Sequence, residues 1–286
     1  MSFKKIGVIG AGNIGTGVAT DLILHGISVL LIDISTNQLD KAKTEILKNV
    51  RFAPLLLKDS PKLSKEITEE RLQLSNDIKD LSSCEFVIEN VTEDWKIKEK
   101  VYIQLDEILN PEVCIGCNTS CISITQVGSV TKRPEKIVGI HLMNPVHLKP
   151  TVEVIRGFYT SDETLEKLNM LFKQLAKNSI LVNDMPGFVS NRISHLFMNE
   201  AIFVLQDQVA RAQDIDDIFK KCFGHTMGPL ETADLIGLDT VMHSLDVLYE
   251  SYHDPKFRCS PLLRKMVHAG HLGRKTGKGF YEYPGI

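Results

Sequence analysis

The chain has 286 residues, of which 43% are hydrophobic and 24% charged, and its formal net charge is -3. That length buries a large core and suits two domains, while the near-neutral balance excludes the strongly basic surface of a general nucleic-acid binder. No apolar run approaches the roughly 18 residues that span a bilayer, and the first residues lead straight into a strand rather than a signal peptide. The expectation is therefore a cytoplasmic protein with neither a nucleic acid nor a membrane as partner.

Lys5–Gly10 (KIGVIG) reads as a short buried strand, followed at once by Gly10-Ala-Gly12-Asn13-Ile14-Gly15 and a helical pattern to about Leu24. A second strand, Ser28–Asp33, ends on an acid eighteen residues after Gly15. A lone GxGxxG is weak evidence, but here strand, glycines, helix, strand and acid follow in order. Gly10 permits the tight turn, Gly12 lets backbone approach a pyrophosphate, and Gly15 lets the helix lie close to the strand. The helix start supplies N–H groups to the phosphates. Asp33 accepts from ribose hydroxyls and repels a 2′-phosphate, which favours NAD over NADP.

From about residue 35 to 77 the strand rhythm stops, and a Lys-rich helical insertion interrupted by Pro54 and Pro61 is expected. The sheet resumes at Glu85–Val91. Glu93 and Lys98 open the next helix, and Val113–Cys117 is a strand ending in Asn118-Thr119-Ser120. Cys114-x-x-Cys117 with Cys121 has no matching second pair and falls on that strand and its loop, so these are read as buried thiols and no metal is expected. With all six cysteines scattered, no disulfide framework is expected either.

Ile137–Ile140 is another apolar strand, and His141 stands where it stops, because Pro145 forbids continuation of a ladder. The carboxyl end of such a strand is where an open α/β sheet binds ligands. Twelve residues on, Glu153 lies inside the apolar run Val152–Ile155 and needs a partner there. A tight strand-turn-strand return brings it to His141 as a base oriented by a carboxylate. The residues alone leave a second reading open: a core histidine satisfied by a backbone carbonyl, with Glu153 facing solvent.

Strands vanish after Asp184-Met-Pro186-Gly187. Phe188–Gln208 reads as a long helix with Asn191 in its first turn and apolar residues on more than one face, and further helices follow. The expected architecture is α/β: a doubly wound parallel (Rossmann) sheet over residues 1–184, then an all-helical domain over residues 185–286 for substrate binding and homodimer formation.

GAGNIG at Gly10, NTS at Asn118, H-x-x-NP at His141, VEVIRG at Val152, PGFVSNR at Pro186, MGPLE at Met227 and GRKTGKGFYEY at Gly273 occur in this order. With them the chain resembles the L-3-hydroxyacyl-CoA dehydrogenase family, including its bacterial 3-hydroxybutyryl-CoA branch, over essentially its whole length. The resemblance implies NAD-dependent oxidation of a 3-hydroxyacyl thioester to the 3-oxoacyl thioester, or the reverse. It implies His141 as base, Glu153 as the carboxylate that orients it, and Ser120 and Asn191 as holders of the substrate hydroxyl and carbonyl. Beside the glycine turn, it implies cofactor contacts from Asp33, Glu93, Lys98, Ser120, Asn144 and Lys275.

Two departures bear on the substrate. The family usually carries a Ser and a Lys on the helical insertion for the coenzyme A nucleotide, and here Asn49 and Leu56 stand there. His147 and Lys149 replace apolar residues and a Met after the NP. Both changes resemble the branch that oxidises a small polar acyl group, such as glyceryl, on an acyl carrier protein in polyketide pathways. The ordinary alternative is a short-chain 3-hydroxyacyl-CoA dehydrogenase of fatty acid metabolism, with Lys48 or Lys58 serving coenzyme A. The β-hydroxyacid dehydrogenases share the dinucleotide half but need a Lys four residues before the helix Asn, where this chain has Gly187. A non-catalytic NADH-binding protein is disfavoured by the intact His141 and Glu153.

Overall fold

The computed structural model describes residues 2–58 and 60–284, so the outermost one or two residues of each expected domain lie outside it. The chain divides into two compact units, Met1–Met185 and Pro186–Ile286. No described helix is long and apolar enough to cross a membrane.

In the first unit, strand β1 (Lys5–Ile9) is buried from Ile6 onward, as a strand covered on both faces requires. It leads through Gly10, at φ +87°, into helix α1 (Asn13–Leu24). A Cβ at Gly15 would fall 1.8 Å from the Gly10 carbonyl oxygen, so no larger residue fits where this helix crosses the turn. Strand β2 (Ser28–Ile32) is followed by helix α2 (Thr36–Leu56), whose first turn is capped by the Ser35 hydroxyl accepting from the Gln38 amide.

The region 35–77 differs from expectation in two ways. Helix α2 runs through Pro54 to Leu56 rather than stopping before the proline. Pro54 lies in the last turn, where few backbone bonds remain to be lost. After the short helix α3 (Lys65–Glu70) comes a strand, β3 (Leu72–Ser75), that the sequence pattern did not disclose. Only its first residue is buried, so the edge strand lacks an apolar signal.

Strand β4 (Phe86–Glu89), helix α4 (Trp95–Ile108), strand β5 (Cys114–Asn118), helix α5 (Ile124–Ser129) and strand β6 (Ile137–His141) complete the parallel part. Strand β7 (Thr151–Arg156), helix α6 (Asp162–Gln174) and strand β8 (Asn178–Asn183) follow. The sheet order is β3-β2-β1-β4-β5-β6-β7-β8. It is parallel and doubly wound from β1 to β6, but β7 pairs antiparallel with β6, and β8 parallel with β7. The expected doubly wound parallel sheet is thus present, and the expected return from His141 to Glu153 makes the β6–β7 pairing antiparallel. The link from His141 to Thr151 is too short for a crossover, which needs about a dozen residues, and only a hairpin-like return fits.

The second unit holds helices α7 (Ser190–Gln206), α8 (Ala212–Cys222), α9 (Pro229–Ile236), α10 (Leu238–Tyr252) and α11 (Pro261–His268) around a core that includes Met198, Ile202, Leu230, Leu245 and Leu263. Its glycine-rich tail is tied down by buried Asp234, which accepts from the Phe280 and Tyr281 amides at 3.0 Å each and from the Tyr283 hydroxyl at 2.9 Å. Buried Asp216 accepts from the Tyr281 hydroxyl at 2.7 Å.

Candidate active site

The carboxyl ends of β1, β5 and β6 gather the residues of the first unit. His141, the last residue of β6, is buried and is the direct register partner of Glu153 on β7. Its Nδ1 lies 2.9 Å from Glu153 Oε2, and its Nε2 lies 3.2 Å from the Ser120 hydroxyl. A carboxylate can only accept, so Nδ1 carries the proton of the neutral ring and Nε2 presents a lone pair. That is the tautomer a general base needs at Nε2, with Ser120 beside the same nitrogen. A core histidine satisfied by backbone does not describe this arrangement.

Ser120 is placed by the Thr119–Cys121 turn, which wraps one carboxylate oxygen. Glu93 Oε1 accepts from Thr119 Oγ1 at 2.5 Å, from the Ser120 amide at 2.8 Å and from the Cys121 amide at 3.0 Å. Asn118 Oδ1 accepts from the Leu142 amide at 3.2 Å, tying the end of β5 to the residue after His141.

Lys98, expected as a cofactor contact, stands at the end of the same cleft behind Glu93. Its side chain is fully buried, and its Nζ donates to both oxygens of Glu89 at 2.8 Å and to the Asn118 carbonyl at 2.9 Å. Burial by itself disfavours the ammonium, but the Cys117 sulfur and the Glu89 and Glu93 carboxylates more than offset it, and the pKa is raised. Of these neighbours we assign the effect to the carboxylates, because burial pushes the Cys117 thiol up and keeps it neutral. Glu89 also accepts from the Tyr102 hydroxyl at 3.0 Å and from the Val91 amide at 2.6 Å. Glu89 is a residue that sequence reasoning missed. Its signal was a carboxylate inside an apolar strand nine residues before a lysine, the same pattern that singles out Glu153.

The turn Gly10-Ala11-Gly12 and the start of α1 at Asn13 and Ile14 fit a dinucleotide. Gly12 offers no side-chain cap to the helix, and a Cβ there would meet nothing within 4 Å, so the backbone is open to a pyrophosphate. Asp33 is held beside it, accepting from the Ala11 amide at 2.8 Å and the Ser35 amide at 2.9 Å. Asn144 is exposed and joins Pro145 through a cis peptide bond.

Asn191 and Lys275 belong to the second unit. Asn191 lies in the first turn of α7, where its carbonyl accepts from the His195 ring at 3.0 Å. Lys275 pairs with Asp239 at 2.6 Å.

Along α1 and α2 runs a groove of about 620 Å³ whose lining includes Asn13, Lys41, Asn49, Leu56, Asn144 and His147. Asn49 and Leu56 thus share their groove with an exposed cation, Lys41, which the sequence reading did not single out. Lys48 instead pairs with Glu45, while Lys58 and Lys149 line a neighbouring groove of about 400 Å³. There Lys177 Nζ donates to the Val146 and Lys149 carbonyls at 2.8 and 2.6 Å and pairs with Asp21 at 3.0 Å. These bonds hold the return from β6 to β7.

Residues 5–185 match the family model described as 3-hydroxyacyl-CoA dehydrogenase, NAD binding domain, and residues 187–283 match its C-terminal domain. The chain is 42% identical over 289 residues to the 3-hydroxybutyryl-CoA dehydrogenase of Bradyrhizobium diazoefficiens, an alignment covering 99% of this chain and 96% of that protein. It is 34% identical over 286 residues to the mitochondrial hydroxyacyl-coenzyme A dehydrogenase of Sus scrofa, covering 98% and 91% respectively. The crystal structure of (S)-3-hydroxybutyryl-CoA dehydrogenase from Ralstonia eutropha is similar at a TM-score of 0.91 and 40% identity over 99% of both chains.

Proposed function

Because this chain belongs to the 3-hydroxyacyl-CoA dehydrogenase family and is an NAD-dependent dehydrogenase, we propose that it interconverts a short-chain 3-hydroxyacyl-CoA, of which 3-hydroxybutyryl-CoA is the type, and the 3-oxoacyl-CoA. The observation that carries this reading is His141 held between Glu153 and Ser120 on the sheet edge that also bears the dinucleotide turn. Bound NAD supplies the hydride acceptor at the substrate carbon. A secondary alcohol loses hydride only as its hydroxyl proton leaves, and His141 Nε2 takes that proton. Glu153 keeps Nδ1 protonated and stabilises the imidazolium so formed. Ser120 orients the hydroxyl toward Nε2, and we assign Asn191 to the thioester end of the substrate.

Coenzyme A is favoured over an acyl carrier protein as the handle. The relatives at 42% and 40% identity are named for coenzyme A thioesters, and Lys41 and Asn49 furnish the groove with a cation and an amide suited to a nucleotide. Assay of one 3-oxobutyryl group on coenzyme A and on carrier protein tests this. The coenzyme A form is expected to show the higher kcat/KM, and preference for the carrier protein at low salt would overturn it. We also infer a homodimer through the helical unit, because it leaves Ile193, Val209 and Phe223 more than 60% exposed. A mass near the 32.0 kDa of one chain by light scattering at micromolar concentration would refute the dimer.

A further inference from the structure

The fully buried Glu89 lies outside the chemistry just described, yet through Lys98 it connects to the turn beside His141. Its two oxygens take the Lys98 ammonium at 2.8 Å each, and the third Lys98 bond goes to the Asn118 carbonyl. The second carboxylate within reach is Glu93, whose Oε2 stands 4.0 Å from the same Nζ. Glu93 is also the residue whose other oxygen pins the Thr119–Cys121 turn, and so sets Ser120 at 3.2 Å from His141 Nε2.

Two carboxylates thus compete for one ammonium, and the outcome is decided by burial. Glu89 and Lys98 are both 0% exposed, so their pairing is barely screened, whereas Glu93 is 31% exposed and partly solvated. An ammonium buried without a counter-charge is strongly disfavoured. If Glu89 lost its charge, the cheapest remedy would be a short swing of Nζ onto Glu93, drawing that carboxylate from the three donors it now satisfies.

We infer that Glu89 is a positioning residue for the dehydrogenase reaction: by occupying Lys98 it leaves Glu93 free to hold the turn that presents Ser120 to His141. This rests on the reading of His141 as the base. It separates Glu89 from an ordinary core ion pair, whose loss lowers stability without a specific effect on the chemical step.

The test is a double-mutant cycle on the full chain with NADH and acetoacetyl-CoA, at a temperature where circular dichroism shows every variant folded. Glu89→Gln should lower kcat by about tenfold or more while both KM values stay within about threefold, the pattern of a lesion in the chemical step. Glu93→Gln alone should also lower kcat, since it weakens the same turn. In that background there is no carboxylate left for Lys98 to capture, so adding Glu89→Gln should lower kcat by less than about threefold further. A folded Glu89→Gln enzyme with kcat within about twofold of the unaltered chain would overturn the inference, and so would additive losses in the cycle. If Glu89→Gln does not fold, Glu89→Asp is used with the opposite expectation: it keeps a negative charge on Lys98, so kcat should stay within about threefold of the unaltered chain, and a folded Glu89→Asp enzyme that loses about tenfold or more in kcat overturns the inference. Failure of the unaltered chain to oxidise NADH with acetoacetyl-CoA would instead count against the proposed function.

Discussion

Glu153 and His141 face each other as register partners across the antiparallel strands β7 and β6, with 2.9 Å between Oε2 and Nδ1. The pairing fixes the ring by two independent devices, the strand register and the hydrogen bond, so little reorganisation is needed before proton transfer. His141→Gln should therefore lower kcat by about 10² to 10⁴ while NADH binding changes little, the range for loss of a general base. Glu153→Gln should also be severe, because a primary amide can donate to Nδ1 and favour the tautomer that protonates Nε2. Steady-state kcat beside NADH titration by fluorescence checks both, and near-full kcat in either variant would remove the dyad from the mechanism.

Asp33 carries its charge beside the open glycine turn, fixed by the Ala11 and Ser35 amides. A 2′-phosphate brought to that place meets a like charge, which costs several kcal/mol across a contact. The unaltered enzyme should prefer NAD, and Asp33→Ala should narrow the NAD to NADP ratio of kcat/KM by about tenfold or more. Equal kcat/KM for both cofactors in the unaltered protein would place Asp33 away from the ribose.

Lys41 supplies the cation of the groove that Asn49 and Leu56 line. An exposed charge is worth under about 1 kcal/mol, so Lys41→Ala should raise KM for acetoacetyl-CoA by about two- to fivefold. The same substitution should leave a pantetheine thioester, which lacks the nucleotide, unaffected. Equal effects on the two substrates would show that Lys41 does not meet the nucleotide.

His25, at the end of α1, has its pKa raised above 6.5, chiefly by its hydrogen bond to Asp21, which outweighs burial. Since the folded value exceeds the unfolded one, this stabilisation is complete below 6.5 and fades as pH rises through the raised value. His147 has its pKa lowered by burial, and stability linked to it is lost instead as pH falls. Comparing the unaltered chain with His25→Asn isolates the first effect. The gap in thermal midpoint should be widest near about pH 5.5 and shrink by about pH 8.5. A gap that grows with pH would reverse the assignment.

What the sequence determined alone is local: the turn from Gly10 to Gly15 needs small residues for reasons contained in a few consecutive dihedrals, and alternating strand and helix patterns announce the doubly wound half. His141 and Glu153 were legible because each is a polar residue in an apolar run, and a short return allows only one partner. Tertiary structure alone decided the contacts between distant segments. Strand β3 exists because it adds to the edge of β2, although its own residues give no apolar rhythm. Glu89 carries the same signal as Glu153, but only the packing of α4 against the sheet shows that Lys98 answers it. The cation beside Leu56 comes from Lys41, fifteen residues earlier on the same helix, because successive turns of α2 line one groove and a side chain's charge can be supplied from any turn that faces it.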